Sequence, residues 1–142
     1  MTTSRDPNSV IYVGFWKRFL ASIIDSFIII IPIFAMLYFF SKLDSDSIFL
    51  NILAFVSSTT LSWIYSAGLQ SSSWQATVGK KVLGIIVVDE YGDRLTLKRA
   101  TGRFFAMFLS SFCFNFGYIM IAFTKHKQGL HDKIAKTFVI KK

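Results

Sequence analysis

The stretch from Phe19 to Phe40 reads FLASIIDSFIIIIPIFAMLYFF, twenty-two residues with a single charge, Asp25. At about 1.5 Å of rise per residue, twenty helical residues already cover the roughly 30 Å hydrocarbon core of a bilayer. Helices of soluble domains are apolar along one stripe. Ile28-Ile29-Ile30-Ile31 is instead apolar all round, so the stretch reads as a membrane span. Basic residues ahead of it also suit a cleaved signal, but it is too long for an h-region and no A-x-A-like site follows.

Two further stretches repeat the pattern. No charge occurs from Ser47 to Gly79, where the apolar part is Ile48 to Leu69, and none occurs in the twenty residues from Phe104 to Phe123. Across the 142 residues, 53 % are hydrophobic and only 17 % charged, against about a quarter charged in soluble domains. The length allows one domain, 1–142, with spans near 19–40, 48–69 and 104–123, a loop at 70–103 and a basic tail at 124–142. The single cysteine, Cys113, excludes an intramolecular disulfide and a multi-cysteine zinc site; inside an apolar stretch it reads as inert packing.

The net charge of +8 raises nucleic-acid binding as a question, and the placement of the charges answers it. Lys17 and Arg18 precede the first span; Lys80, Lys81, Arg94, Lys98, Arg99 and Arg103 fill the middle loop; six lysines follow Phe123. Lys and Arg are retained on the cytoplasmic side of a membrane. The N-terminal region and middle loop are thus expected on the cytoplasmic side of the cell membrane, with Ser41 to Ser47 outside. Trp16 beside Lys17, and Trp74 ahead of Lys80, suit the level of anionic lipid headgroups. Bilayer and headgroups account for the charge, and no nucleic acid is expected.

A third full span would put the six tail lysines outside. Asn115-Phe116-Gly117 interrupts that span with residues that suit turns, and strand-like runs lie on both sides of it. Gly84-Ile85-Ile86-Val87-Val88, a turn at Asp89 to Asp93 and Leu95-Thr96-Leu97 read as a β-hairpin, and Thr137 to Ile140 as a third strand. The expected fold is an all-α integral membrane protein of two to three hydrophobic helical segments, the third bent or re-entrant near Asn115, with a small cytosolic β-hairpin or three-stranded element. An ordinary third span with an outside tail is the alternative.

Asp25 needs a reason. An acidic side chain near the centre of a membrane helix costs on the order of 2–3 kcal/mol and marks a functional site by default. Arg18, Ser22, Asp25 and Ser26 share one helical face, as do Asn51, Ser58, Ser62 and Tyr65 on the second span. Two such stripes on neighbouring helices are expected to satisfy each other. As a partner of a cation, Asp25 is expected to be needed for assembly; as a site for a proton or monovalent cation, it is expected to be needed for flux alone.

Gly14-Phe15-Trp16-Lys17-Arg18-Phe19 leading to Ile24-Asp25, Thr77-Val78-Gly79-Lys80 before Gly84 to Asp89, and Gln128-Gly129-Leu130-His131-Asp132-Lys133 before Thr137-Phe138-Val139 resemble the RDD family of membrane proteins. The resemblance covers nearly the whole chain. It implies that Arg18, Asp25 and Asp132 are the arginine and two aspartates for which the family is named. Gly79, Lys80, Gln128 and His131 match its motifs, and Lys136 departs from a frequent glycine. It also implies transport, including sodium/proton exchange, as a role suggested for members.

Other chemistries are not supported. Gly79-Lys80 lacks the earlier glycine of a phosphate loop, where Trp74 stands, and Lys81 replaces its Ser or Thr. His126 and His131 have the wrong spacing for a zinc pair on one helical face, and there is no nucleophile elbow. His131-Asp132 reads as an acid/base pair or as a turn contact. No enzyme, catalytic residue, metal or cofactor is expected. Two functions stay open. One is transport of a cation, a proton or a small solute through a homo-oligomer or partner membrane protein, using Arg18, Asp25, Asp132 and the hydroxyl stripes. The other is a non-catalytic accessory or binding subunit.

Overall fold

The structure, a computed structural model, describes residues 10–44, 46–112 and 116–142, the side chains of 116–118 excepted. Helix α1, Phe15–Leu43, and helix α2, Ile48–Ser71, are each long and apolar enough to cross a membrane. Their 29 and 24 residues extend about 43 and 36 Å. Ser47 starts α2 by accepting the Leu50 N–H at 3.4 Å, and the two helices lie side by side. Only 6 % of the apolar window of either helix is buried within the protein. Ile31, Phe34, Phe39, Phe49 and Phe55 are all more than 60 % exposed, which suits a hydrocarbon solvent and not water.

Near its end α2 widens into a π turn at Ile64–Gly68. A π turn inserts a residue into the helical repeat and often marks a functional site. Here it carries Tyr65 and leads into Gln70, both of which reach inward to charged groups.

A small folded base joins the ends of the helices. After the short helix α3, Val78–Val82, strand β1, Ile85–Asp89, runs antiparallel to β2, Thr137–Lys141, with Ile85 opposite Lys141 and Asp89 opposite Thr137. Ile85 to Val88 are buried on both faces, so the run is continuously apolar and not alternating. Ile85 and Val87 pack with Val13, Ala21, Ala67, Leu95, Ala100 and Val139, while Ile86 and Val88 pack with Ala76 and Ile140. The N-terminal segment completes the far edge of β2: Tyr12 bridges Ile140, and Val13 N–H donates to Val139 O at 3.0 Å.

The expected hairpin is therefore corrected. Its first arm is β1, but Leu95-Thr96-Leu97 forms no strand, and only Arg94 bridges back to Val88. Thr96 instead begins helix α4, Leu97–Phe112, accepting the Arg99 N–H on its hydroxyl at 3.3 Å and the Ala100 N–H on its carbonyl at 3.0 Å. The N-cap role of threonine overrides the strand-like alternation. The tail strand does form, and it pairs with β1 directly.

The third apolar stretch is divided between α4 and helix α5, Phe116–Phe123. Neither helix meets the length and hydropathy of a span. Phe116 and Gly117 are helical, whereas Asn115 and Cys113 lie outside the described residues. Since α4 starts beside β1 and α5 leads through helix α6, Leu130–Ala135, into β2, the two arms leave and return at one end of the molecule. The N-terminal segment, the base of the middle loop and the tail all meet there. Lys136 closes α6 with φ 51°, a left-handed position that favours the glycine from which it departs.

Candidate functional site

The base buries a charged cluster centred on Asp132, which is fully enclosed. Gly129 caps α6 in extended conformation, and Asp132, three residues on, accepts the Gly129 N–H at 3.1 Å on Oδ2. That single bond, the N3 half of a capping box, points the carboxylate back over the helix start. Arg18, in the first turn of α1, donates to the same oxygen. Arg103 of α4 donates to Oδ1 twice, from Nε at 3.0 Å and Nη2 at 2.7 Å. Both guanidinium groups are then held from behind. Arg18 also donates to Val13 O at 3.0 Å and Lys127 O at 2.5 Å. Arg103 donates to Gln70 Oε1, while Gln70 Nε2 donates to Ser66 Oγ at 2.9 Å.

Arg103 and Gln70 are the members that the sequence reading left out. Arg103 stands among six loop cations in the sequence, yet Ala100, Phe104, Ala106 and Ser110 mark the buried face of α4 on which it lies. A cation in register with small and apolar residues was the available signal. Gln128 holds the neighbouring loop to β2, donating from Nε2 to Thr137 O at 3.0 Å.

Burial alone would raise the pKa of Asp132, but Arg103 and Arg18 hold it below the usual carboxylate range. His131 Nε2 lies 3.4 Å from Asp132 Oδ1. Burial, joined by Arg103, Lys80 and Arg18, outweighs the pull of Asp132 and pushes the imidazole down to about 3. Between that value and the ordinary 6.5, the unfolded chain binds a proton that the folded protein does not, so stability falls as pH drops through this window. Thermal unfolding in detergent is expected to lose stability from pH 6.5 downward. His131→Gln should flatten that loss until carboxylates titrate; an unchanged slope would remove His131 as its cause.

Next to the cluster lies a cavity of about 390 Å³. Arg18, Lys80, Arg103 and His131 form its polar end, and Phe15, Phe19, Met107, Ile119 and Ile121 form most of its apolar wall.

Asp25 belongs to a second, separate arrangement. Its Oδ1 accepts the Tyr65 hydroxyl and the Gly79 N–H, both at 2.7 Å, and its Oδ2 accepts the Thr77 hydroxyl at 2.6 Å. Thr77 is the N-cap of α3 and Gly79 its second residue, so the carboxylate closes the start of that short helix. A Cβ on Gly79 would stand 2.2 Å from Ala21 O. The glycine is needed because the backbone of α3 lies directly on α1.

The two stripes expected to satisfy each other meet at Tyr65, which donates to Asp25. Ser22 donates to Arg18 O at 2.8 Å, Ser58 to Phe55 O at 2.9 Å and Ser62 to Ser58 O at 2.9 Å. Each hydroxyl thus bonds its own helix, the common fate of serine inside an apolar helix. Asn51 is exposed toward the opposite end of α2. Arg18 and Asp25 share α1 but not a site, since Arg18 turns to Asp132. Among the described residues, no three His, Cys, Asp or Glu side chains converge as a metal site would require.

Comparison with known proteins agrees with the motifs. Protein YxaI of Bacillus subtilis (strain 168) is 37 % identical, with 91 % of this chain and 97 % of the relative covered. Membrane protein YteJ of the same organism is 30 % identical over 91 % of this chain and 80 % of its own length. Protein YckC is 29 % identical over 89 % and 82 %. No solved structure matches. The family model described as RDD family matches residues 12–136, a range that holds α1, Arg18, Asp25, the Thr77 to Lys80 turn, Arg103 and Asp132. The chain belongs to the RDD family.

Proposed function

We propose that this membrane protein acts as a non-catalytic binding subunit, with α1 and α2 crossing the cell membrane and the folded base on the cytoplasmic side. The observation that carries the reading is the charged end of the cavity. Three cationic side chains, Arg18, Lys80 and Arg103, converge there around one carboxylate, Asp132. Such an excess of positive charge lining a cavity favours an anionic ligand. The concentration of Lys and Arg in the base supports the cytoplasmic orientation.

The transport reading rests on Asp25, which lies within α1 as an intramembrane carboxylate. Its two oxygens already accept three hydrogen bonds from protein donors, an arrangement suited to holding α1, α2 and α3 together. Purified protein in liposomes is therefore expected to carry neither Na⁺ nor H⁺. Flux that disappears in a well-folded Asp25→Asn protein would restore the transporter. The orientation is checked separately: a cysteine at position 141, in a Cys113→Ser background, should resist an impermeant label applied to intact cells. Labelling from outside would place the tail across the membrane.

A further inference from the structure

The binding reading leaves the ligand open, and the cavity narrows it. Asp132 is saturated by Arg18, Arg103 and the Gly129 N–H. Val13, Lys127 and Gln70 take one further N–H each, so each arginine has given three of its five donors to the protein and keeps two for a ligand. Lys80 lines the same end of the cavity, and its ammonium has no hydrogen-bond or ion-pair partner among the described residues. Lys80 is half-buried, so its ammonium can be reached through the cavity, where an anion beside it would offset the cost of its partial loss of water. Burial first, then Arg103 and Arg18, push the Lys80 pKa well below the ordinary lysine value against the weaker pull of Asp132 and Asp25.

The rest of the cavity is not suited to a small inorganic ion. Among the described residues its wall is made of Phe15, Phe19, Met107, Ile119 and Ile121, with hydroxyls from Ser22 and Ser111. Phe19 and Ile119 are each 46 % exposed, so the wall continues onto the apolar surface that α1 presents to lipid. A volume of about 390 Å³ lies within the ordinary range of small-molecule sites, about 300–1,000 Å³. It is therefore amphiphilic, with cations at the base and an apolar opening toward the bilayer.

We propose, resting on the binding-subunit reading, that the cavity holds an acidic lipid of the surrounding bilayer, its phosphate oxyanion at Lys80, Arg18 and Arg103 and its acyl chain against Met107, Phe19 and Ile119. The lipid approaches sideways from the membrane. The headgroup supplies the anion that Lys80 lacks, and the apolar wall selects an oxyanion carried on a chain over free phosphate.

The test uses the full chain in neutral detergent and native mass spectrometry, with dioctanoyl phosphatidic acid, dioctanoyl phosphatidylcholine and inorganic phosphate as probes. Phosphatidic acid is expected to bind at least tenfold more tightly than either of the others. Lys80→Gln should lower that affinity at least tenfold and Lys80→Arg should keep most of it. Met107→Trp, which fills the apolar wall, should weaken phosphatidic acid without changing phosphate, and it serves should the Lys80 variant fail to fold. Equal binding of the two lipids, or Lys80→Gln without effect in a folded protein, overturns the headgroup assignment. Phosphate binding as tightly as phosphatidic acid overturns the lipid and leaves the binding-subunit reading in place. Binding of neither anion overturns both.

Discussion

Asp132→Asn is expected to be the most damaging single substitution in the folded base, lowering stability by about 3–5 kcal/mol, the loss typical when one member of a buried ion pair is removed. The carboxylate is fully buried and is the acceptor for both Arg18 and Arg103. Asparagine preserves the shape but leaves two enclosed guanidinium groups facing a neutral amide. Detergent unfolding midpoints provide the measurement. Because the three residues form one network, Arg18→Met combined with Asp132→Asn should lose less than the sum of the separate losses. A folded Asp132→Asn protein with an unshifted midpoint would show that the cluster does not hold the base together.

The second large effect is expected at Gly79. An alanine methyl there would stand 2.2 Å from the Ala21 carbonyl and 2.9 Å from the Asp25 carboxylate. No side-chain rotation relieves a contact with backbone, so α3 must lift from α1. Overpacking of this kind costs about 1–3 kcal/mol, and here it also breaks the bonds from Gly79 and Thr77 to Asp25. Asp25→Ala should lose a comparable amount, about 1.5–3 kcal/mol for hydrogen bonds to a charged acceptor. Asp25→Asn should cost much less, since the partners are two hydroxyls and an N–H, none of them a cation. An Asp25→Asn protein as unstable as Asp25→Ala would show that the negative charge itself is required. The ranking is read from unfolding midpoints of the three purified variants.

The parts of this arrangement differ in how far the sequence reveals them. Both long helices are legible because their apolar runs exceed what a soluble helix needs, and the later environment of Ile31 or Phe49 matches that reason. Arg18 and Asp132 are legible only through the motifs around them, because nothing in a linear pattern says that residues 114 positions apart will share a hydrogen bond. The shared face of Arg18 and Asp25 suggested one site, but each side chain turns to a different short helix, Arg18 to α6 and Asp25 to α3. Those helices have six and five residues, too few for periodicity to announce them. Leu95-Thr96-Leu97 failed for a different reason: alternation over three residues is a weaker signal than a threonine placed to cap the helix that follows.

The pairing of β1 with β2 sets an order for biogenesis. Synthesis runs from the N-terminus, so α1, α2 and β1 all leave the ribosome before β2 exists. During that interval Arg18 is without Asp132, and the edge of β1 that will meet Phe138 and Ile140 is open. Pairing of distant segments is intrinsically slow and leaves strand edges vulnerable to aggregation. Both helices long and apolar enough to cross a membrane are complete early, but the base closes only when residues 129–141 arrive. A ribosome paused between α5 and α6 would therefore display both long helices with an unsealed base, the state in which a failed copy first differs from a finished one.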